Sequence, residues 1–104
     1  MATTTIGASA AINETASTAV LAADTRRVSV IMTNLSTADY WLARGTAAVI
    51  GQGVLLAPNI PIYATSDPSE TTGEDATILN LSWNVIADTG AGAGLGLAYE
   101  VIQR

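Results

Sequence analysis

Alternation of apolar and polar side chains is the feature that most restricts the fold of this chain. Between Thr77 and Ile86, polar residues separate four apolar ones, which are Leu79, Leu81, Trp83 and Val85. A period of two places these four side chains on one face of a strand, whereas helical spacing of about 100° per residue would scatter them. The pattern predicts a half-buried strand of an antiparallel sheet.

Two further strands are predicted in the middle of the chain. Arg27 to Asn34 is rich in β-branched residues, which favour a strand over a helix. The segment 35–39 has the composition of a turn, and Tyr40 to Arg44 restarts a strand that ends at Gly45. We predict that these two strands form a hairpin.

Short apolar segments between turn residues account for most of the remaining chain. Pro61 lacks an amide hydrogen, so its segment is expected to be an edge strand or to start a strand there. No segment shows a sustained helical period. The further predicted strands are Thr4–Ala10, Thr18–Ala22, Val54–Ala57, Ile60–Thr65 and Leu95–Gln103. About seven or eight short strands predict an all-β fold, an antiparallel β-sandwich or jelly-roll-like barrel, in a single domain of residues 1–104.

The residue types that are missing exclude much catalytic chemistry. The chain has no Cys, no His and no Lys. Catalytic triads with His, zinc, haem and iron–sulfur sites, and Schiff-base chemistry therefore lose their usual groups. No pair of carboxylates is predicted beside a cleft, so we expect neither an enzyme nor a cofactor.

Charge restricts the partners. The formal net charge is −5 and the chain has four arginines, of which only Arg26 and Arg27 are adjacent. Contacts to phosphates need clustered basic residues, so no nucleic acid and no anionic membrane surface is expected as a partner. No apolar run approaches the length of roughly 18 residues that a membrane span needs.

Two loop segments resemble ligand sites by composition alone. The acidic loop 67–75 holds four carboxylates that could meet at a Ca²⁺ ion, but their spacing fails the EF-hand pattern, and a solvated loop is favoured. The glycine-rich segment 90–96 lacks phosphate-loop spacing and leads into a strand, so it is predicted to be a turn.

Adjacent aromatic and basic residues raise the question of an interface. Tyr40 and Trp41 are neighbours in a predicted strand, so their side chains point to opposite faces and one of them turns away from the core. An exposed aromatic marks an interface or a sugar-stacking platform, although packing against alanine-rich neighbours is slightly favoured. Arg26 and Arg27 are expected to pair with Asp24 or a cross-strand acid, with an interfacial role as the alternative.

The middle of the chain resembles small all-β proteins of tailed-bacteriophage particles, chiefly capsid decoration and head-fibre-type proteins. The resemblance covers roughly residues 20–64. It is carried by the arginines before the apolar strand Val28 to Met32, by Asn34-Leu35-Ser36, and by the turn sequence Gly51-Gln52-Gly53-Val54-Leu55-Leu56-Ala57-Pro58. Asn59 stands where these proteins commonly have Gly, and Asn tolerates the left-handed conformation that such a turn needs.

This resemblance implies a non-enzymatic virion component that is made in the host cytoplasm. It is expected to bind the outside of the particle as a homo-oligomer, with a trimer favoured, through the major capsid protein or another virion protein. Residues 1–20 are expected to form an extended or swapped N-terminal arm, with residues 2–12 at contacts. The expected interface residues are Ile6, Ile12, Arg26, Arg27, Tyr40 and Trp41.

A host-surface or carbohydrate-binding module of a fibre or adhesin is the alternative function. It would need an exposed aromatic, Trp41 or Tyr63, beside polar side chains. The acidic loop would then be a candidate cation site. Binding to glycans separates the two functions.

Overall fold

The computed structural model describes residues 3–9, 12, 15–65, 80–88 and 96–103. These residues form eight antiparallel strands in two four-stranded sheets, with no strand pair running parallel. The strands are β1 Thr3–Ser9, β2 Thr18–Leu21, β3 Arg27–Asn34, β4 Tyr40–Arg44, β5 Val54–Leu56, β6 Ile62–Thr65, β7 Trp83–Ala87 and β8 Leu97–Gln103. The prediction of an all-β sandwich is confirmed.

The strand order follows from a long ribbon of paired strands. β1 pairs with β8, β2 with β7, β3 with β6 and β4 with β5, so the chain folds back on itself between β4 and β5. The ribbon then wraps around, because β8 also pairs with β3 and β7 with β4. The result is sheet I, with the order β1-β8-β3-β6, and sheet II, with the order β2-β7-β4-β5. This wrapped eight-stranded ribbon is the jelly-roll arrangement.

The core lies between the two sheets. Sheet I contributes Val30, Met32, Leu97 and Val101, and sheet II contributes larger side chains. The largest buried residues are Trp83 and Tyr40. Side chains alternate in β3: Val30 and Met32 are buried, while Ile31 between them is exposed.

The prediction of a β3–β4 hairpin is wrong. Both strands have the predicted bounds, but β3 belongs to sheet I and β4 to sheet II, so the segment 35–39 crosses from one sheet to the other. A hairpin within one sheet and a crossing between two sheets give the same sequence pattern. In either arrangement each strand buries one face and exposes the other. The crossing is stabilised by Asn34, whose side chain donates to the carbonyls of Ala38 and Leu56 at 2.7 and 2.8 Å.

The strand observed in the segment Thr77 to Ile86 is β7, and it is shorter than the alternating pattern predicted. It begins at Trp83, while Leu81 precedes it outside any strand, and residues 77–79 lie outside the described ranges. The expected half-exposed character is also wrong, since every residue from Trp83 to Ala87 is buried. β7 is an inner strand of sheet II, and its outward side chains are covered as well.

Candidate functional site

The outward-facing side of sheet I consists of exposed and half-buried residues. We call it the open face. Residues at equivalent positions in paired strands point to the same side of a sheet, so the register defines this face. One row across all four strands consists of Ile6, Glu100, Ile31 and Tyr63. The neighbouring rows add Thr4, Ile102, Ser29 and Thr65 on one side, and Ala8, Ala98 and Thr33 on the other.

Three of the four residues in the central row of the open face are large, apolar or aromatic, and exposed. Ile6 is 77% exposed, Tyr63 is 75% exposed and Ile31 is 41% exposed. None of the residues that form this face is buried, and apart from Ile102 the side chains of the neighbouring rows are small or carry hydroxyl groups. Large apolar side chains gathered on one exposed surface are typical of a site that another molecule covers.

Glu100 is the one charged side chain of the open face. It lies between Ile6 and Ile31 in the central row, and it is half-buried. A carboxylate at this position must keep water or gain a hydrogen-bond donor when the face is covered, since burial of an unpaired charge is costly. The face therefore suits a flat partner that brings a donor or a positive charge opposite Glu100.

The outward-facing side of sheet II differs because the chain itself lies over part of it. We call this side the covered face; its inner positions are Trp41, Ala43, Asn84 and Ile86. The side chain of Asn84 donates to the carbonyl of Thr46 at 2.7 Å, and the amide of Ala48 donates to Ser17 Oγ at 2.9 Å. These bonds hold the connection between β4 and β5 against the sheet.

A shallow pocket remains beside that connection. Its volume is about 170 Å³, and it is lined by Ala43, Thr46, Ala47, Val49, Gln52 and Gly53. Gly53 is required here, because its φ is 90° and a Cβ atom would lie 2.5 Å from the carbonyl oxygen of Leu42. The lining has no charged side chain, so the pocket offers little chemistry beyond apolar contact.

Three of the expected interface residues lie on the surface. Ile6 is in the central row of the open face, and Arg26 is exposed at the β2–β3 connection. Trp41 is half-buried on the covered face, where it is the cross-strand neighbour of Ile86. The structure does not bring these three residues together, since they lie on different parts of the sandwich.

The other three expected interface residues are buried within the chain. Ile12 and Tyr40 belong to the hydrophobic core. Of the adjacent aromatics, Tyr40 is therefore the inward one, and Trp41 turns away from the core. Arg27 is also buried, because its guanidinium donates to the carbonyls of Leu81, at 2.8 Å, and Ala22. Burial lowers the pKa of Arg27, and nearby Asp24 acts in the opposite direction.

The predicted ion pair of Asp24 is confirmed for Arg26. Arg26 Nη2 donates to Asp24 Oδ2 at 3.0 Å, and Arg26 Nε donates to Oδ1 at 3.1 Å. Gln103 of β8 also donates to Oδ2, at 2.6 Å. The hydrogen bonds from Arg26 lower the pKa of Asp24 from its ordinary value of 3.8 to about 2. This group joins the β2–β3 connection to the end of sheet I, and its arrangement is structural.

The residues that carry the resemblance form a structural cluster as well. Asn34 Oδ1 accepts hydrogen bonds from the amide and the hydroxyl of Ser36, at 2.8 and 2.7 Å. The carbonyl of Asn34 accepts the amide of Asn59 at 2.8 Å. Asn59 has a φ of 61°, as expected for an Asn in place of Gly. These motifs thus join two connections to the end of β3, and they lie apart from the open face.

The sequence contained one usable signal for the open face. Val28 to Met32 is apolar at four of its five positions, so an alternating strand there must present an apolar side chain outward. Ile31 is that residue. Its neighbours Glu100 and Tyr63 come from distant parts of the sequence, and only the register of β8 and β6 shows that they share its row.

The described residues contain no group of three His, Cys, Asp or Glu residues that could hold a metal ion. The acidic loop 67–75 and most of the glycine-rich segment 90–96 lie outside the described ranges. In the part of the chain that the structure describes, no helix is long and apolar enough to span a membrane.

Comparison of the chain with protein-family models, with curated proteins and with solved structures finds no match.

Proposed function

We propose that this chain is a structural, non-enzymatic component of a bacteriophage particle, a capsid decoration or accessory protein that binds the outside of the shell as a homo-oligomer. The observation that carries the proposal is the open face, where Ile6, Ile31 and Tyr63 are exposed in one row of a small sandwich. In this proposal the chain acts in the virion, with itself and the major capsid protein or another virion protein as partners. Nucleic acid, membrane and cofactors have no part in it.

The composition of the open face suits contact with a protein shell. Covering apolar side chains contributes about 25 cal/mol for each Å² removed from water, and the hydroxyl groups around them supply hydrogen bonds. A shell repeats the same surface many times. An oligomer that contacts several copies at once gains affinity without a larger contact in each copy.

The fold is compatible with this function and does not decide it. Jelly-roll sandwiches occur in viral capsid domains and also in lectins. The open face and the resemblance of residues 20–64 to phage particle proteins support the proposed function, and the arrangement of strands does not distinguish it from others.

The direct experiment is to purify phage particles from the strain that carries the gene and to detect the chain on them. We expect the chain in stoichiometric amounts relative to the major capsid protein, with immunogold labelling on the outside of the head. A chain that is expressed but absent from purified particles contradicts the proposal.

Tyr63 keeps the carbohydrate-binding alternative open. Its ring is 75% exposed at the edge of sheet I, beside Thr65, and an exposed ring can stack on a sugar. A glycan array with the wild-type chain and with Tyr63→Ala tests this function. Specific binding that disappears in the variant favours a host-surface module, and an array without signals favours the structural role.

A further inference from the structure

The four edge strands of the sandwich differ in how well they are protected from pairing with another chain. β5 has three residues, and β6 has four and follows Pro61. β2 has four residues, and its register shifts between Ala19 and Leu21. Short length, proline and irregular register each prevent the addition of a further strand. These three edges are therefore poor templates.

β1 has none of these protections. It has seven residues, contains neither a charged residue nor proline, and keeps a continuous register with β8 from Thr3 to Ser9. Its side chains are exposed on both faces of the sheet at Thr4, Thr5 and Ile6. A long, regular and uncharged edge strand presents a row of backbone donors and acceptors to any extended segment.

β1 is also held firmly on its own chain. Gly7 lies opposite Tyr99, and a Cβ atom at Gly7 would lie 2.5 Å from Cζ of that ring. The ring thus packs directly over the backbone of β1. This contact and the ladder to β8 fix one edge of β1, and no strand among the described residues pairs with its other edge.

We infer that the free edge of β1 pairs antiparallel with β1 of a second copy of this chain. A two-fold axis at Ile6 would place Thr5 opposite the partner's Gly7 and Thr4 opposite the partner's Ala8. No charged residue meets a like charge in this pairing, and every side chain except that of Ile6 is small. A second copy is the favoured partner because a two-fold interface needs one self-complementary patch, which β1 provides.

This pairing joins the two copies of sheet I into one continuous sheet of eight strands. The open faces then lie side by side, with the two Ile6 side chains at the centre. The inference does not depend on the proposed virion function. The dimer differs from the trimer expected from the sequence, and the mass of the oligomer in solution separates the two.

A matched pair of charge variants tests the dimer. Thr5→Lys places a charge on β1, and Thr65→Lys makes the same change on β6 at the opposite edge of sheet I. We expect sedimentation velocity to show a dimer for the wild type and for Thr65→Lys, and a monomer for Thr5→Lys with an unchanged circular dichroism spectrum. A wild type that is monomeric at all concentrations, a trimeric mass, or a Thr5→Lys dimer overturns the inference.

Disulfide formation provides a test that does not need a destabilising charge. The chain has no Cys, so Ile6→Cys and Tyr63→Cys each introduce a single thiol at sites of nearly equal exposure. Directly paired residues of antiparallel strands have Cα atoms about 4.5–5.5 Å apart, which suits a disulfide. Mild oxidation should link Ile6→Cys into covalent dimers much faster than Tyr63→Cys, and equal rates contradict the pairing.

Discussion

The two outer faces of the sandwich differ although both come from strands with similar apolar sequences. On sheet II, Asn84 and Ile86 project outward from β7 and are each only 8% exposed. On sheet I, Ile31 projects outward from β3 and is 41% exposed. Both strands are inner strands of their sheets. Among the described residues, the β4–β5 connection is held against sheet II through Asn84, while the outward residues of sheet I remain exposed or half-buried.

This comparison separates apolar residues that stabilise the fold from those that are free to bind. A buried side chain of the covered face, such as Ile86, already has its contacts, and its removal leaves a cavity. A side chain on the open face has water as its neighbour, and its removal changes little in the isolated protein. The exposed apolar side chains of sheet I would therefore contribute to the free energy of binding, and they contribute little to the stability of the isolated chain.

The largest expected effect is the difference in stability loss when one isoleucine of each face is replaced by alanine. Ile86→Ala should lower the free energy of unfolding by about 2–4 kcal/mol, because it creates a cavity at a buried position. Ile31→Ala should lower it by about 1 kcal/mol or less, because the residue is partly exposed. Urea denaturation of both variants measures the difference. Equal losses would mean that the two faces do not differ as described.

Removal of the bond that holds the connection over the covered face should have a smaller effect. Asn84→Ala leaves the carbonyl of Thr46 without its 2.7 Å donor, so we expect a loss of about 1–3 kcal/mol. Hydrogen exchange at the amide of Ala48 should also become faster, because the connection is less well held. Thr33→Ala on the open face is the control, and its loss should stay below about 1 kcal/mol. Unchanged exchange at Ala48 in Asn84→Ala would show that other contacts hold the connection.

The smallest expected effect concerns the group around Asp24, and it is a loss of folding stability at acidic pH. The pKa of Asp24 is lowered to about 2 in the folded chain, while an unfolded Asp titrates at about 3.9. The stabilisation is therefore complete above about pH 4 and is lost as the pH falls towards about 2. In Asp24→Asn, the free energy of unfolding should therefore fall less between pH 4 and pH 2 than it does in the wild type.

A second variant, Arg26→Gln, removes the side-chain hydrogen bonds that lower the pKa of Asp24 and keeps the carboxylate. It should weaken the same decline between pH 4 and 2, as measured by urea denaturation across that range. An Asp24→Asn variant with the same decline as the wild type would show that other carboxylates cause it.

The sequence predicted individual strands well and their arrangement poorly. The bounds of β3 and β4 agree with the prediction, because β-branched residues and turn residues are local signals. The hairpin between them was wrong, since the choice of sheet depends on the network around Asn34, which joins residues 22 positions apart. Likewise, only the register of β8 against β3 shows that Glu100 lies beside Ile31.

The sequence could not show which of the candidate interface residues are accessible. Adjacency suggested that either Tyr40 or Trp41 faces outward, and residue type suggested Arg27, but Tyr40 and Arg27 are buried within the chain. Their burial follows from contacts with distant segments, such as the bond from Arg27 to the carbonyl of Leu81. Ile6 lies on the open face, where its exposure reflects the position of β1 at the edge of sheet I.

Binding of matched charge variants to particles tests the central claim most directly. Ile31→Glu places a charge on the open face, and Val49→Glu places the same charge on the β4–β5 connection, at 48% exposure in the wild type. Both variants are mixed with purified particles that lack the wild-type chain, and bound protein is measured by co-sedimentation. The account predicts that Ile31→Glu stays unbound while Val49→Glu binds like the wild type. Binding by Ile31→Glu at the wild-type level would contradict it.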